Sequence, residues 1–307
     1  MVSISEAQSR LIRSSIDYIS NEYQLIYKQQ QEYLDLFIQI APQILELIAG
    51  CDAPYHNLEH TINVVLVGQE ILTGRHFSGE IFPPEEWLNY MISLLCHDIG
   101  YVKGICRSDR ITSHQFATGI NQECITLNPL ATGASLTPHH VDRGKLFVLE
   151  KFSDYTLIDL EKIQKNIEMT RFPVPKDNLY KDTIDFPGLA RGADLIGQLS
   201  DPGYLGKLPA LFSEFQELGS NKVLGYSTSQ DLRTGYPKFY WNIVSLYIQH
   251  SIRYLEITQS GRAILENLYG NRARVEKELD RFYRKQNIWN GMFDWLKDLN
   301  ITIIKQL

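Results

Sequence analysis

The stretch that decides the fold is residues 83–98, which read PPEEWLNYMISLLCHD. Two prolines followed by two glutamates are typical of a helix N-terminus, because proline fits the first turn and acidic side chains complement the helix dipole. The apolar residues that follow recur at helical spacing and not at the alternating spacing of a strand. The sequence therefore predicts a helix that leads directly into His97 and Asp98.

Helical periodicity continues on both sides of this stretch. Upstream, Ser3 and Glu6 have the spacing of a capping box and open one amphipathic stretch, a second ends at Gly50, and a third covers residues 56–71. Downstream, we expect helices around 113–126, 136–151, 157–170, 186–199, 206–218, 238–258 and 259–287, with loops at 100–110, 171–180 and 219–238. Alternating runs of β-branched residues are almost absent, so the sequence predicts an all-α fold.

Composition narrows the class of protein. The 307 residues are 44% apolar and 21% charged, which is normal for a globular protein. A net charge of −6 argues against a nucleic-acid polymer as partner. The sequence contains neither a signal peptide pattern nor the roughly 20 apolar residues that a membrane helix needs. We therefore predict a cytoplasmic protein with reduced cysteines and no membrane partner.

Metal-ligand side chains are concentrated in the middle of the chain. His56 and His60 are four residues apart, which places them on one face of a helix. Asp194 lies in an apolar setting, and a buried carboxylate needs a partner or a metal. Imidazole nitrogen and carboxylate oxygen are ligands for divalent transition metals. Together with His97 and Asp98, these residues predict a metal site.

Five short stretches, in this order, resemble motifs of a known family. They are Tyr55-His56-Asn57-Leu58-Glu59-His60, His97-Asp98, Leu136-Thr137-Pro138-His139-His140, the threonine at Thr170, and Ala193-Asp194-Leu195. They resemble the HD superfamily of metal-dependent phosphohydrolases, and within it the catalytic domain of class I cyclic nucleotide phosphodiesterases. The resemblance implies an HD-domain helical bundle over residues 51–258, N-terminal helices packed on it over 1–50, and a C-terminal helical extension over 259–307.

The resemblance also implies a function. A first metal would be bound by His60, His97, Asp98 and Asp194, and Asp98 would bridge to a second metal. One or two divalent ions are expected, with manganese, magnesium, zinc, nickel and iron as candidates. Metal-bound hydroxide would attack a small-molecule phosphoester, with nucleotides and cyclic nucleotides among the candidates, while His56 acts as general acid and Asp98 as a catalytic ligand.

Several positions depart from the family pattern or extend it. Tyr101 replaces a histidine beside the second metal, and Tyr236 replaces the glutamine that recognises purine, whereas Phe239 matches the aromatic residue that clamps the base. A phenol cannot make both hydrogen bonds of an amide, so a phosphoester is a safer prediction than a cyclic nucleotide. The candidates for the second-metal or substrate side are Tyr101, His114, His139, His140, Arg143, Lys145, Thr170, Tyr236 and Phe239.

Two alternatives share the same scaffold. The first is a non-catalytic HD-type module that binds metal and has a regulatory role, which the changed second-metal neighbourhood favours. The second is an HD-type di-iron oxygenase, which needs additional histidines on the second iron. His114, His139 and His140 are the histidines that the sequence offers for that purpose.

Overall fold

A computed structural model describes the chain over residues 4–304, and over residues 285–304 it describes the backbone alone. The helices are α1 (Glu6–Ile26), α2 (Gln31–Ala49), α3 (Leu58–Phe77), α4 (Pro84–Cys96), α5 (His140–Phe152), α6 (Leu160–Met169), α7 (Phe186–Leu199), α8 (Tyr204–Leu218), α9 (Ser220–Val223), α10 (Ser229–Phe239), α11 (Ser245–Tyr247), α12 (Gln249–Leu255) and α13 (Gln259–Ile304). In the described chain a single antiparallel hairpin, β1 (Gln115–Ala117) with β2 (Cys124–Thr126), accompanies them. The prediction of an all-α fold is confirmed.

Helix α4 is the centre of the molecule. It packs against α2, α3, α6 and α7, and Trp87, Leu88 and Leu94 on its different faces are fully buried. A helix that is apolar on every side belongs inside a protein, which is what the sequence of residues 83–98 indicates. Because α4 ends at Cys96, the His97-Asp98 pair that follows lies inside the fold.

Helices α3 and α7 form a close helix pair beside α4. Gly197 of α7 lies against the backbone of α3, where a Cβ atom would come within 2.8 Å of Val64 Cα and 3.0 Å of Val64 N. Only glycine permits this approach without a shift of one helix. The contact brings His60, near the start of α3, close to Asp194 in the middle of α7.

The N-terminal helix begins two residues later than the predicted capping box. Ser5 is the N-cap of α1: its hydroxyl accepts a hydrogen bond from Gln8 N, and the Gln8 side chain accepts one from Ser5 N. The predicted cap Ser3 lies outside the described residues. Helix α2 ends at Ala49, and Gly50 follows it as expected.

The helix predicted at 113–126 is wrong. A 3-10 turn at Ile111–Ser113 is followed by the β1–β2 hairpin, and Asn121 and Gln122 in its turn have φ angles of 50° and 58°. Gly119 in the same turn has a φ of 81° and lies against the backbone of α5, where a Cβ atom would come within 2.3 Å of the Asp142 carbonyl. These backbone conformations are incompatible with a continuous right-handed helix.

The loop predicted at 219–238 is also wrong, because most of it is helical. Helices α9 and α10 occupy it, and α10 is followed by a π-helix at Tyr240–Val244. Thr228 caps α10 in a reciprocal capping box with Asp231. The threonine–aspartate spacing was a readable start signal within a segment rich in serine, threonine and glycine.

One hydrophobic core runs through the described chain, from Ile12 in α1 to Val275 in α13. The N-terminal helices and the first part of α13 share it with the central helices, and the division at residues 50/51 and 258/259 stays a prediction. No helix among the described residues combines the length and apolar character that crossing a membrane requires.

Candidate metal centre

The four predicted ligands converge on one point. Asp98 Oδ2 lies 3.1 Å from His60 Nε2 and 3.2 Å from His97 Nε2. Asp194 Oδ1 lies 3.6 Å from each of the same two nitrogen atoms, which are 3.4 Å from one another. Two ligand atoms that are each about 2.1 Å from a shared ion stand about 3.4 Å apart in tetrahedral geometry. The spacing of His60, His97 and Asp98 therefore fits a single metal ion, and Asp194 lies beside both imidazoles as a candidate fourth ligand.

Hydrogen bonding on the outer side of the ligands supports this fit. His97 Nδ1 lies 2.7 Å from the Leu94 carbonyl, so in the neutral ring Nδ1 carries the proton and Nε2 turns a lone pair towards the carboxylates. Asp98 Oδ2 is buried and has no hydrogen-bond partner among the described residues. Acceptors that face acceptors in a buried place need a cation between them.

The electrostatics of His97 lead to the same conclusion. Burial lowers the pKa of His97, but the Asp98 and Asp194 carboxylates outweigh burial and raise it to about 9. With the protein groups alone, a proton on the imidazole therefore balances the two carboxylates. A divalent cation can take the place of that proton, since metal binding to such ligands releases protons.

His56 lies just before α3 and not on it, which corrects the expectation that it shares a helix face with His60. Asn57 is the N-cap of α3, and its side-chain oxygen accepts hydrogen bonds from Glu59 N at 3.0 Å and His60 N at 3.4 Å. The His56 and His60 rings nevertheless lie edge to face with centroids 5.5 Å apart. The acid candidate is therefore adjacent to the ligand.

Glu214 of α8 fixes the position of His56. This glutamate was not predicted from the sequence. Its Oε2 lies 2.5 Å from His56 Nδ1, and its Oε1 accepts the backbone N–H of Tyr55 at 2.6 Å and of His56 at 3.1 Å. The carboxylate is 1% exposed. Burial lowers the pKa of His56, yet the charge and hydrogen bond of Glu214 together with the charges of Asp98 and Asp194 outweigh burial, and the net shift is upward. The one sequence signal was a glutamate on the apolar face of α8, between Leu211 and Phe215.

A stack of three rings forms one wall of the site. Tyr101 lies between His56 and His140, with centroid distances of 4.4 and 4.6 Å and interplanar angles of 11° and 20°. His140 Nδ1 lies 2.7 Å from the Thr137 carbonyl, and His140 Nε2 lies 3.9 Å from Asp98 Oδ1. Burial lowers the pKa of His140, so its ring is neutral and its Nε2 is an acceptor. Asp98 thus turns one oxygen to the cluster of His60, His97 and Asp194 and the other to His140.

A cavity of about 430 Å³ adjoins this cluster. At one end its walls are polar and include His56, Asp98, Asp194 and His140. The predicted substrate-side residues Tyr101, Thr170, Tyr236 and Phe239 also line it, and so does Thr137. Phe239 meets Phe172 edge to face, with centroids 5.9 Å apart. Most of the remaining lining is aliphatic or aromatic, together with Arg171, Arg191 and Gln198.

Arg143 and Lys145 are not brought to the cavity. The Arg143 guanidinium is fully buried, pairs with Asp109 at 3.0 Å, and donates to the carbonyls of Gly100, Val102 and Ala117. It holds the loop after α4 and the β1 strand together. Lys145 pairs with Asp142 at 2.8 Å and with Glu168 at 2.5 Å. Both cations are neutralised by acidic residues of the chain.

His114 and His139 also lie outside the cavity lining. His114 follows the 3-10 turn at Ile111–Ser113 with a φ of 52°. His139 is the N-cap of α5, where burial and the nearby charge of Arg143 lower its pKa. Of the three histidines offered for a second metal, the structure therefore brings His140 to Asp98 and leaves the other two away from the cavity.

Comparison with known proteins places the chain in a family. The model of the Npun_R2479-like family matches residues 5–278, and the chain belongs to this family. No curated protein matches the chain.

Proposed function

We propose that this member of the Npun_R2479-like family is a metal-dependent phosphohydrolase that cleaves a small-molecule phosphoester, and that it has the HD-type active site its motifs resemble. The observation that carries the proposal is the convergence of His60, His97, Asp98 and Asp194 next to a cavity that also contains His56. A ligand cluster alone would suit a structural metal. A protonatable imidazole on the wall of the adjoining cavity suits catalysis.

The ligand atoms of the proposed site determine which metal ions fit it. Two imidazole nitrogens and two carboxylate oxygens suit manganese, iron, nickel or zinc, while magnesium prefers oxygen ligands. When bound, such an ion supplies Lewis-acid stabilisation of the phosphate charge and a water nucleophile that is acidic enough to react near neutral pH. The Asp98 oxygen facing His140 provides room for a second ion on the substrate side.

His56 is assigned the role of general acid. Its Nδ1–H donates to Glu214, which fixes the ring orientation and leaves Nε2 to give a proton to the leaving oxygen. The upward shift of its pKa by Glu214 keeps the imidazole protonated closer to neutral pH. Tyr101 stacks on one face of the His56 imidazole and restricts its rotation.

The test is hydrolysis by the purified full-length protein. We expect cleavage of bis-p-nitrophenyl phosphate or p-nitrophenyl phosphate with manganese, and loss of cleavage after chelation. His56→Ala should retain bound metal and lose roughly 10²–10⁴-fold in turnover, because general acid catalysis contributes about that much. Asp194→Ala should lose metal. His76→Ala, in the last turn of the same helix α3, is the control and should change neither quantity.

Two results would overturn the proposal. Protein with stoichiometric metal that hydrolyses none of these esters, nor any of a panel of nucleotides, is not this enzyme. Loss of metal in His56→Ala would show that His56 is a ligand and not the acid. The di-iron oxygenase alternative is disfavoured because it requires more histidines than His140 on the second ion, and His114 and His139 lie outside the cavity lining.

A further inference from the structure

We propose, resting on the phosphohydrolase function above, that the substrate is an amphiphilic phosphoester whose phosphate meets the metal centre and whose organic group is a long apolar chain. Away from the metal ligands most of the side chains that line the cavity are hydrocarbon, and they come from α7, α8 and α10 and the segments beside them. The side chains are Leu195, Leu208, Leu211, Phe215, Leu232, Tyr236 and Phe239.

Two arginines, Arg171 and Arg191, also line the cavity. Arg171 donates to Glu168 and Asp142, at 2.5 Å and 2.9 Å. Arg191 donates to the carbonyls of Tyr180 and Asp182, and its guanidinium lies 4.1 Å from the centroid of the Tyr247 ring. Arg171 is therefore neutralised by carboxylates, whereas Arg191 is bound by carbonyls and an aromatic ring. Most of the other side chains of the lining are hydrocarbon, which favours an uncharged organic group.

The polar groups of the wall are few. The Gln198 amide donates to the Tyr204 hydroxyl at 3.5 Å. Tyr236 takes the place where the resemblance expects a purine-binding glutamine, and its hydroxyl is buried without a hydrogen-bond partner among the described residues. Its neighbour Tyr204 packs edge to face on it at 5.4 Å. An aromatic surface of this kind accommodates hydrocarbon without specifying a base.

The mouth of the cavity extends the same surface to solvent. Phe172, Leu224 and Ile243 line the cavity and remain 48%, 53% and 36% exposed. Exposed apolar residues are ordinary when scattered singly, but these three all line the same cavity, so its apolar lining reaches solvent. A chain longer than the cavity would stay on apolar surface as it leaves the protein.

The size of the effect can be estimated from the hydrophobic effect. Moving one methylene group from water to an apolar wall is worth about 0.8 kcal/mol, which corresponds to about a fourfold gain in affinity. If the cavity binds an alkyl chain, kcat/KM for alkyl p-nitrophenyl phosphate diesters should rise severalfold with each added methylene. The rise should continue from methyl to about hexyl or octyl.

The experiment measures this series on the full-length, manganese-loaded protein, together with binding of the matching alkylphosphonates, which contain no ester to cleave. We expect the octyl diester to exceed the methyl diester at least 100-fold in kcat/KM. We also expect phosphonate affinity to rise with chain length and binding to have a negative heat-capacity change. Cyclic and linear nucleotides should be poorer substrates than the octyl diester.

Leu224 and its neighbour Val223 provide a matched pair of variants. Val223 is 88% exposed and does not line the cavity, whereas Leu224 does. Leu224→Glu puts a charge at the mouth of the cavity and should lower the octyl-to-methyl ratio at least tenfold. Val223→Glu should leave the ratio unchanged. Because both positions are exposed, neither variant disturbs the core.

The outcomes separate the two proposals. Hydrolysis of the methyl diester with no gain from longer chains overturns the apolar-chain inference and leaves the phosphohydrolase function standing. Length-dependent phosphonate binding without hydrolysis of any ester supports the apolar cavity and overturns the phosphohydrolase function. Faster turnover of a nucleotide than of the octyl diester overturns the inference.

Discussion

A single carboxylate determines how His56 behaves. Glu214 binds both the imidazole Nδ1 and the two backbone N–H groups of Tyr55 and His56, so it sets the position and the charge of the acid together. Metal ligands are recognisable from short motifs such as His97-Asp98. Glu214 was not, because 158 residues separate it from His56 and no motif surrounds it. The burial of Glu214 identifies it, and burial can be seen only in the folded structure.

Replacing this carboxylate by an amide gives a pH-dependent prediction. If His56 is the general acid that we propose, it works while protonated, and activity should fall as the pH rises through its pKa. Glu214→Gln removes the negative charge that raises this pKa, and the alkaline fall of kcat/KM should therefore move to lower pH. At pH 8 we expect a loss of about tenfold, less than for His56→Ala.

The control for this variant lies one turn further along α8. Glu217→Gln changes an exposed carboxylate that accepts hydrogen bonds from Thr132 and Ser135, away from the imidazole. Its pH profile should match that of the unmodified protein. An unchanged profile in Glu214→Gln would mean that His56 does not donate the proton.

Tyr236 gives a prediction about stability. Tyr236 is 2% exposed, and its hydroxyl has no hydrogen-bond partner among the described residues. A buried hydroxyl without a partner lowers the free energy of unfolding. Tyr236→Phe removes the hydroxyl and should raise the free energy of unfolding by about 1 kcal/mol. Tyr204→Phe is the contrast, since it removes the acceptor of Gln198 and should destabilise the protein. Denaturant unfolding distinguishes them, and a destabilised Tyr236→Phe would contradict this account.

At the scale of elements, the approach of α3 to α7 positions His60 relative to Asp194. Gly197→Ala places a Cβ atom 2.8 Å from Val64 Cα, so one helix must move. We expect a loss of about 1–3 kcal/mol in the free energy of unfolding and weaker metal binding, measured by denaturation and by metal titration. Gly206→Ala, in α8, meets no atom within 4 Å and should be neutral or slightly stabilising. Unaltered metal affinity in Gly197→Ala would show that the site tolerates helix displacement.

Elements differed in how well the sequence predicted them. Helices α4 and α7 were predicted because their apolar periodicity is local and strong. The hairpin at 115–126 was wrongly predicted as a helix, because groups outside this segment determine its structure. Asp109 Oδ1 accepts a hydrogen bond from Ala117 N at 2.8 Å and another from Arg143. The Arg143 guanidinium in turn donates to the Ala117 carbonyl at 2.6 Å. A window of a dozen residues does not contain Arg143. Tertiary contacts therefore override the local preference in this segment.

At the scale of the whole molecule, the proposed metal ligands connect elements that are far apart in sequence. His60 lies in α3, His97 and Asp98 follow α4, and Asp194 lies in α7, and all three helices belong to one core that runs from Ile12 to Val275. An ion that binds these four residues must therefore be released when the core unfolds. Metal binding and global stability are linked for this reason.

This linkage predicts a metal-dependent melting temperature. A ligand at 100 times its dissociation constant adds about 2.7 kcal/mol to the free energy of unfolding. We expect Tm to rise on addition of manganese or zinc and to fall after chelation, as measured by thermal unfolding. The pKa of His97 is raised to about 9, so a proton competes with the cation for this residue. The metal-induced rise in Tm should therefore be larger at pH 8 than at pH 6.

A pair of aspartate variants makes the prediction specific to the four-ligand cluster. Asp194→Asn removes a ligand charge from the cluster and should abolish most of the metal-induced rise in Tm. Asp154→Asn changes an exposed aspartate beyond the end of α5 and should retain the full rise. If Asp194→Asn responded to metal as strongly as Asp154→Asn does, the cation would be bound elsewhere on the protein. The assignment of α7 to the metal centre, and with it the proposed hydrolysis, would then fail.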